Sequence, residues 1–353
     1  MIDKEYLVKQ LKEKDPAKIQ ELFDKAYQVK LDNVGNKVYL RGIVEISNIC
    51  RKNCLYCGLR SGNSKVYRYN IPDFEILKAA QYALDEGYGS MLLQSGERQD
   101  REFTDRITKL VRQIKHLPKK DDRPDLGITL SLGEQSLEVF QEWFEAGAHR
   151  YLIRIESSSE DLYHKIHPND EIHSFEARKQ ALVDLKTAGY QVGTGVMIGL
   201  PFQTAESLAD DLLFFKNIDI DMCGMGPYLE HHDTPLWQYK DMLLSKEDRL
   251  ILGFKMIALL RLLMPDINIS ATTALQVLDP LGREKGVLCG ANVIMPNMTI
   301  SSVRNDYSIY DDKPGSEDDS NDSQAQLEAN LKKIKVPIGY GQWGDSIHFA
   351  RRK

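Results

Sequence analysis

The feature that most constrains this chain is an alternation that begins at residue 38. Short apolar runs alternate with longer stretches of helical periodicity, eight times and without interruption. The runs predict strands over 38–46, 90–94, 127–132, 151–155, 191–197, 221–226, 267–271 and 291–295. Helices are expected between them over 72–86, 102–115, 135–146, 174–188, 205–217, 246–264 and 280–288, with a short extra one near Asp161. Strands that alternate with helices make parallel sheets, and eight repeats in about 250 residues predict an α/β chain closed into a (β/α)8 barrel of TIM type. A doubly wound open sheet is the alternative, but no dinucleotide fingerprint follows the first strand.

The barrel is expected over 35–310, between two extensions. Residues 1–34 carry apolar positions at Tyr6, Leu7, Leu11, Ile19, Leu22, Phe23 and Ala26. That spacing suits one or two amphipathic helices, broken near Asp15-Pro16. In 311–353, the acidic run over 310–324 (YDDKPGSEDDSNDSQ) predicts a mobile loop, and 325–334 a closing helix.

In such a barrel, functional groups sit where strands end. Cys50, Cys54 and Cys57, spaced CxxxCxxC, follow the first strand. Gln94-Ser95-Gly96-Glu97 follows the second and Ser131-Leu-Gly-Glu134 ends the third. Arg154 and Glu156 end the fourth, Gly199-Leu-Pro201 follows the fifth, Thr272-Thr273 the seventh, and Met295-Pro-Asn297 ends the eighth. Polar residues thus occupy nearly every upper edge.

Thiolates suit iron–sulfur clusters or zinc. Structural zinc wants four protein ligands, and no second cysteine pair exists: Cys223 and Cys289 stand alone between apolar neighbours, as core thiols do. Three thiolates on a [4Fe–4S] cube leave one iron open to a small molecule. Five cysteines, three of them clustered, make no disulfide framework, and an oxygen-sensitive cluster predicts a reducing cytoplasm. A net charge of −6 offers no polybasic argument for nucleic acid. No run approaches the roughly 18 apolar residues of a membrane span, and a charged N-terminus is not a secretory signal.

CxxxCxxC with an aromatic, Tyr56, before its last cysteine resembles the signature of the radical S-adenosylmethionine (SAM) superfamily. The runs ICRKNCLYCGLR, LLQSGE, ITLSLGE, GYQVGTGVMIGLPFQT, DTPL, ATTA and LCGANVIMPN resemble, within it, the family of the [FeFe]-hydrogenase maturase HydE, across residues 35 to 310. Biotin synthase and methylornithine synthase are its wider neighbours. The resemblance implies a [4Fe–4S] cluster on Cys50, Cys54 and Cys57, with SAM chelating the open iron. It implies SAM contacts from Tyr56, the segment Gln94, Ser95 and Gly96, Glu156, Arg178 and Met197. Glu156 would accept hydrogen bonds from SAM, and Arg178 would pair with its carboxylate. It implies a substrate cavity lined by Thr129, Ser131, Arg150, Arg154, Thr272, Thr273, Met295 and Tyr307. An electron donor such as reduced ferredoxin or flavodoxin, and other hydrogenase maturases, are implied as partners.

The residues admit plainer roles. Gly96 serves an ordinary turn as well as a close approach to ligand, and Met197 with the Gly-Leu-Pro turn serves barrel packing. Arg178 as a surface helix residue would pair with Glu176 or Asp184. Arg150 and Arg154 share one face of a strand, where an inward guanidinium needs an anion: an anionic substrate, or an internal pair with Glu134 or Glu97. Three departures stand out. Arg98-Gln-Asp follows QSGE, IESSS follows the fourth strand, and no cysteine follows Cys289, so a second cluster is not expected. The competing activities are a mutase or sulfur-inserting enzyme of the methylornithine synthase or biotin synthase type, and a non-catalytic carrier or scaffold for a metal precursor.

Overall fold

The computed structural model describes residues 2–120, 122–311, 313 and 320–352. Its strands in chain order are β1 Tyr39–Ser47, β2 Ser90–Ser95, β3 Gly127–Ser131, β4 Arg150–Leu152, β5 Gln191–Thr194, β6 Met197–Ile198, β7 Met222–Cys223, β8 Gly226–Pro227, β9 Asn268–Ala271 and β10 Val293–Ile294. Eight of them close a parallel barrel in the order β1-β10-β9-β7-β5-β4-β3-β2, so the expected TIM-type fold is formed. The other two, β6 and β8, pair with each other.

That extra pair arises because the expected fifth and sixth strands each break in two. Between their halves lie Gly195 and Gly224, and a Cβ on Gly195 would overlap the Gly224 carbonyl. Two backbones approach there as only glycine allows, and the chain re-aims above the barrel.

Outside the barrel, amphipathic helices cover the sheet. Arg101–Lys115 shows why: Phe103, Ile107, Leu110, Val111 and Ile114 recur every three or four residues and are all buried. Its Asp100 cap accepts the Phe103 amide at 3.1 Å. The expected helix over 280–288 is Gly282–Leu288, and a further short helix, Thr273–Leu278, precedes it across Asp279-Pro280. At the N-terminus, Lys4–Lys12 and Pro16–Val34 bury Leu7, Leu11, Leu22 and Ala26, with Pro16 opening the second helix beneath its Asp15 cap. They lie on Ala205–Asn217 and Lys246–Leu263.

The C-terminal segment closes the lower mouth of the barrel. Arg150, at the start of β4, donates to Asp345 at 2.6 Å, to the Trp343 carbonyl at 2.9 Å and to Thr129 Oγ1 at 3.1 Å. The Gly344 carbonyl accepts from Arg41 and from Asn268, at 3.1 and 2.8 Å. Of the acidic run over 310–324, residues 312 and 314–319 lie outside the described residues. Ser320–Gln324 are not loop but the first turns of a helix, Ser320–Lys333, that starts five residues earlier than expected. Among the described residues, no helix is long and apolar enough to cross a membrane.

Candidate functional site

The upper mouth of the barrel is where the chain gathers its chemistry. β1 ends in an irregularity between Glu45 and Ser47, and the chain then leaves the sheet for the loop over 48–70. One side chain organises that loop. The Arg68 guanidinium donates to the carbonyls of Asn48, Leu59 and Arg60 at 2.8 Å and of Asn63 at 3.3 Å. Asn48 adds bonds to the carbonyls of Tyr67 and Asp306, both 2.8 Å. Neither residue stood out in the sequence, since their partners are backbone groups.

Within this frame Cys50, Cys54 and Cys57 are half-buried and unbridged. The Glu97 amide donates to Cys50 Sγ at 3.3 Å. β2 reaches the loop through Gly96, whose amide donates to the Ser47 carbonyl at 3.0 Å. A Cβ on Gly96 would overlap the Ile49 carbonyl and Cys50 Cβ. The close approach expected of this glycine is therefore made by the cysteine loop. Burial pushes the Cys54 thiol up to about 12, Arg178 opposing, and lifts Cys50 and Cys57 as well. Sulfurs so placed stay protonated alone and ionise beside cationic metal.

Tetrahedral zinc, with bonds of about 2.3 Å, draws its sulfurs to about 3.8 Å of one another. Among the described residues, the one trio of possible ligands gathered within 4.8 Å is His231, His232 and Asp311, not the cysteines. Three thiolates fall one short of the four protein ligands of structural zinc, whereas on a four-iron cube they leave one iron open. The histidine trio is a hydrogen-bonded set. His231 Nδ1 accepts the Asp233 amide at 3.1 Å, so the neutral ring carries its proton on Nε2, towards Asp311.

Beside the cysteines lies a buried network of charge. Lys52 Nζ stands 2.9 Å from Glu134 and 3.6 Å from Glu97. Arg178 donates to Glu134 and, at 2.7 Å, to the Arg154 carbonyl. Its partner is thus neither Glu176 nor Asp184. Burial raises Glu134, but Arg178 and Lys52 outweigh it and hold the carboxyl below its usual range; burial keeps Glu97 above its own, Lys52 opposing. Arg154 pairs with Glu156 at 3.0 Å, not with Glu134 or Glu97. Glu156 is held at φ 64°, a conformation unusual for a non-glycine residue. Its carboxylate bears on Cys57 and Tyr56. Tyr56 packs on an apolar cluster containing Met197, Leu162 and Tyr228, with its hydroxyl 3.4 Å from His167.

The substrate set divides. Ser131, Arg154, Thr272, Thr273 and Met295 remain partly accessible at the upper strand ends, as does Gln94. Ser95 is buried, its hydroxyl donating to the Gly96 carbonyl at 2.6 Å. Tyr307 is buried beneath Lys313, which donates to its carbonyl at 3.0 Å and pairs with Glu45 inside the barrel. Arg150 and Thr129 do not join this set. They face each other at the lower end, and the Nη2 of Arg150 points towards Gly127 at the start of β3. Arg150 opens β4, whereas Arg154 lies two residues beyond its end, so the two do not share a strand face.

Comparisons with known proteins bear on the same groups. Residues 44–215 match the Radical SAM superfamily model. The [FeFe] hydrogenase maturase subunit HydE of Thermotoga maritima is 44% identical over 292 residues, covering 83% of this chain and 79% of the relative. The chain belongs to the HydE family of radical SAM enzymes. The 3-methylornithine synthase of Methanosarcina acetivorans is more distant, 26% identical over 294 residues, with 83% and 79% covered. Among solved structures, methylornithine synthase (PylB) superposes with a TM-score of 0.80 at 23% identity, covering 97% of this chain and 95% of that one. HydG, a maturase of the [FeFe]-hydrogenase, gives 0.79 at 18% identity, covering 95% and 72%. Both show the shared barrel. The superfamily is defined by a [4Fe–4S] cluster and SAM, and the three cysteines, half-buried, unbridged and with cationic Arg178 acting on Cys54, fit such a cluster.

Proposed function

We propose that this HydE-family chain holds a [4Fe–4S] cluster on Cys50, Cys54 and Cys57 and cleaves SAM there, in assembly of the [FeFe]-hydrogenase diiron site. The observation that carries the reading is a trio of half-buried, unbridged thiols above β1, with no fourth cysteine beside them and a charged shell around them. When bound, the cluster supplies the electron that breaks a carbon–sulfur bond of SAM, giving methionine and the 5′-deoxyadenosyl radical.

The chain's own groups position the reactants. Tyr56 and Met197 offer the nucleoside an apolar wall, and the strand end at Gln94, Ser95 and Gly96 offers backbone polar groups. Glu156 is the acceptor for SAM donors. Arg178, already balanced by Glu134, meets the SAM carboxylate with its remaining N–H groups. Deeper in, Arg154 with Ser131, Thr272, Thr273, Met295 and Tyr307 receives an anionic substrate, small or organometallic. Arg154 exchanges Glu156 for that anion. A small one-electron carrier such as ferredoxin or flavodoxin supplies the reductant, and other maturases handle the product.

The test is anaerobic. The protein is reconstituted with iron and sulfide, reduced with dithionite and given SAM, and 5′-deoxyadenosine is assayed. Product is expected from the native chain and none from the Cys50/Cys54/Cys57→Ala variant. A cluster that forms without cleaving SAM would favour the carrier reading instead.

A further inference from the structure

The loop between Cys50 and Cys54 is held from outside the barrel by a short segment that follows β4. Asp170–His173 forms one 3-10 turn, capped by Asp170, whose Oδ1 accepts the His173 amide at 3.0 Å. That turn grips two consecutive residues of the loop. The Ile172 carbonyl accepts from Lys52 Nζ, and His173 Nε2 accepts the Asn53 amide at 2.8 Å. An amide can only donate, so Nε2 carries no proton, and the proton of the neutral ring lies on Nδ1. Nδ1 stands 2.6 Å from Asp170 Oδ1, which accepts that proton. The imidazole is 2% exposed, and its orientation is determined at both nitrogens.

Other backbone donors of the loop are held as well. Arg51 donates to the Glu97 carbonyl at 2.9 Å, Leu55 to Ile166 at 3.0 Å and Cys57 to Cys54 at 3.3 Å. The Lys52 amide is directed to Cys50 and the Leu59 amide to Cys57. The Asn53 amide, between two of the thiols, is directed instead to the imidazole of His173.

We infer that His173, oriented by Asp170, is a positioning residue of the cysteine loop with two effects. It fixes the backbone between Cys50 and Cys54 so that both sulfurs are presented together. It also occupies the Asn53 amide, which would otherwise be free to donate to sulfur. An N–H donated to sulfur stabilises the more negative, reduced cluster. His173 therefore keeps the reduction potential of the bound cluster low, which favours electron transfer onward to SAM. This inference rests on the cluster reading above.

The experiment compares the full-length native chain with His173→Ala and His173→Gln. A glutamine oxygen reaches the Asn53 amide as Nε2 does. Hydrogen–deuterium exchange of the apoprotein peptide spanning 51–56 is expected to quicken in His173→Ala and to return towards native in His173→Gln. In the reconstituted proteins, His173→Ala is expected to lose its cluster to a chelator about 10-fold faster. Its potential, from an EPR-monitored redox titration, is expected to shift upward, and His173→Gln to hold the native value. Unchanged exchange and potential in His173→Ala would overturn the inference. So would equal cluster loss and lowered melting in both variants, since a role confined to packing gains nothing from a restored acceptor. If the native chain takes up no cluster, the cluster reading fails, while the exchange result still decides the contact.

Discussion

At the scale of single residues, this site depends on close approaches as much as on charge. Gly96 is the sharpest case. Its amide bonds Ser47, and its missing Cβ is what lets β2 lie against Cys50. Gly96→Ala is expected to cost about 1–3 kcal/mol and to push the cysteine loop outward. Denaturant unfolding would report the first effect and iron content after reconstitution the second. Native values for both would mean that the loop yields freely at Ile49. The same scale separates two arginines that the sequence groups together. Arg154 ends beside Glu156 in the upper mouth, whereas Arg150 is balanced by Asp345 at the lower one.

Among elements, the loop over 48–70 is the piece that cannot be recognised from hydrophobic periodicity, because it has none. It is built around Arg68, which bridges four carbonyls from both ends of the cysteine motif. Arg68→Ala would leave buried acceptors unpaired and is expected to destabilise by about 2 kcal/mol. Lysine, a compact ammonium on a flexible stem, cannot span that set and is expected to restore little. Limited proteolysis should find new cleavage between 58 and 68 in both variants. If lysine restores the native pattern, the planar fork is not what matters. Periodicity did locate all eight barrel strands within a few residues, since each pairs apolar runs with a covering helix. It missed the breaks at Gly195 and Gly224, where contact between distant backbones overrides local preference.

For the whole molecule, the closing tail ties stability to pH. His149 stacks on Trp343 at 4.5 Å, and burial lowers its pKa to about 4, Arg150 adding to the shift. The unfolded chain binds that proton near pH 6.5. Since the folded value is the lower one, the contribution is complete above pH 6.5 and declines as pH falls towards 4. The slope is at most about 1.4 kcal/mol per pH unit. Comparing native and His149→Gln melting across pH 4 to 7 isolates it, because titrations elsewhere cancel in the difference. A difference that does not vary over that range would show that the ring takes up its proton at the same pH in both states.

The cysteine motif, the barrel and the identity of most upper-edge residues were determined by sequence alone. Strand–helix alternation buries its apolar runs in a parallel sheet, and three thiols within eight residues share a site in almost any fold. Tertiary structure decided the partners. Arg178 meets Glu134 across 44 residues, His173 meets Asn53 across 120, and Arg150 meets Asp345 across 195. Such pairs leave no local signal, because hydrophobic pattern records only whether a residue is buried. Which charge or amide lies opposite is settled when the barrel closes and brings distant strand ends together.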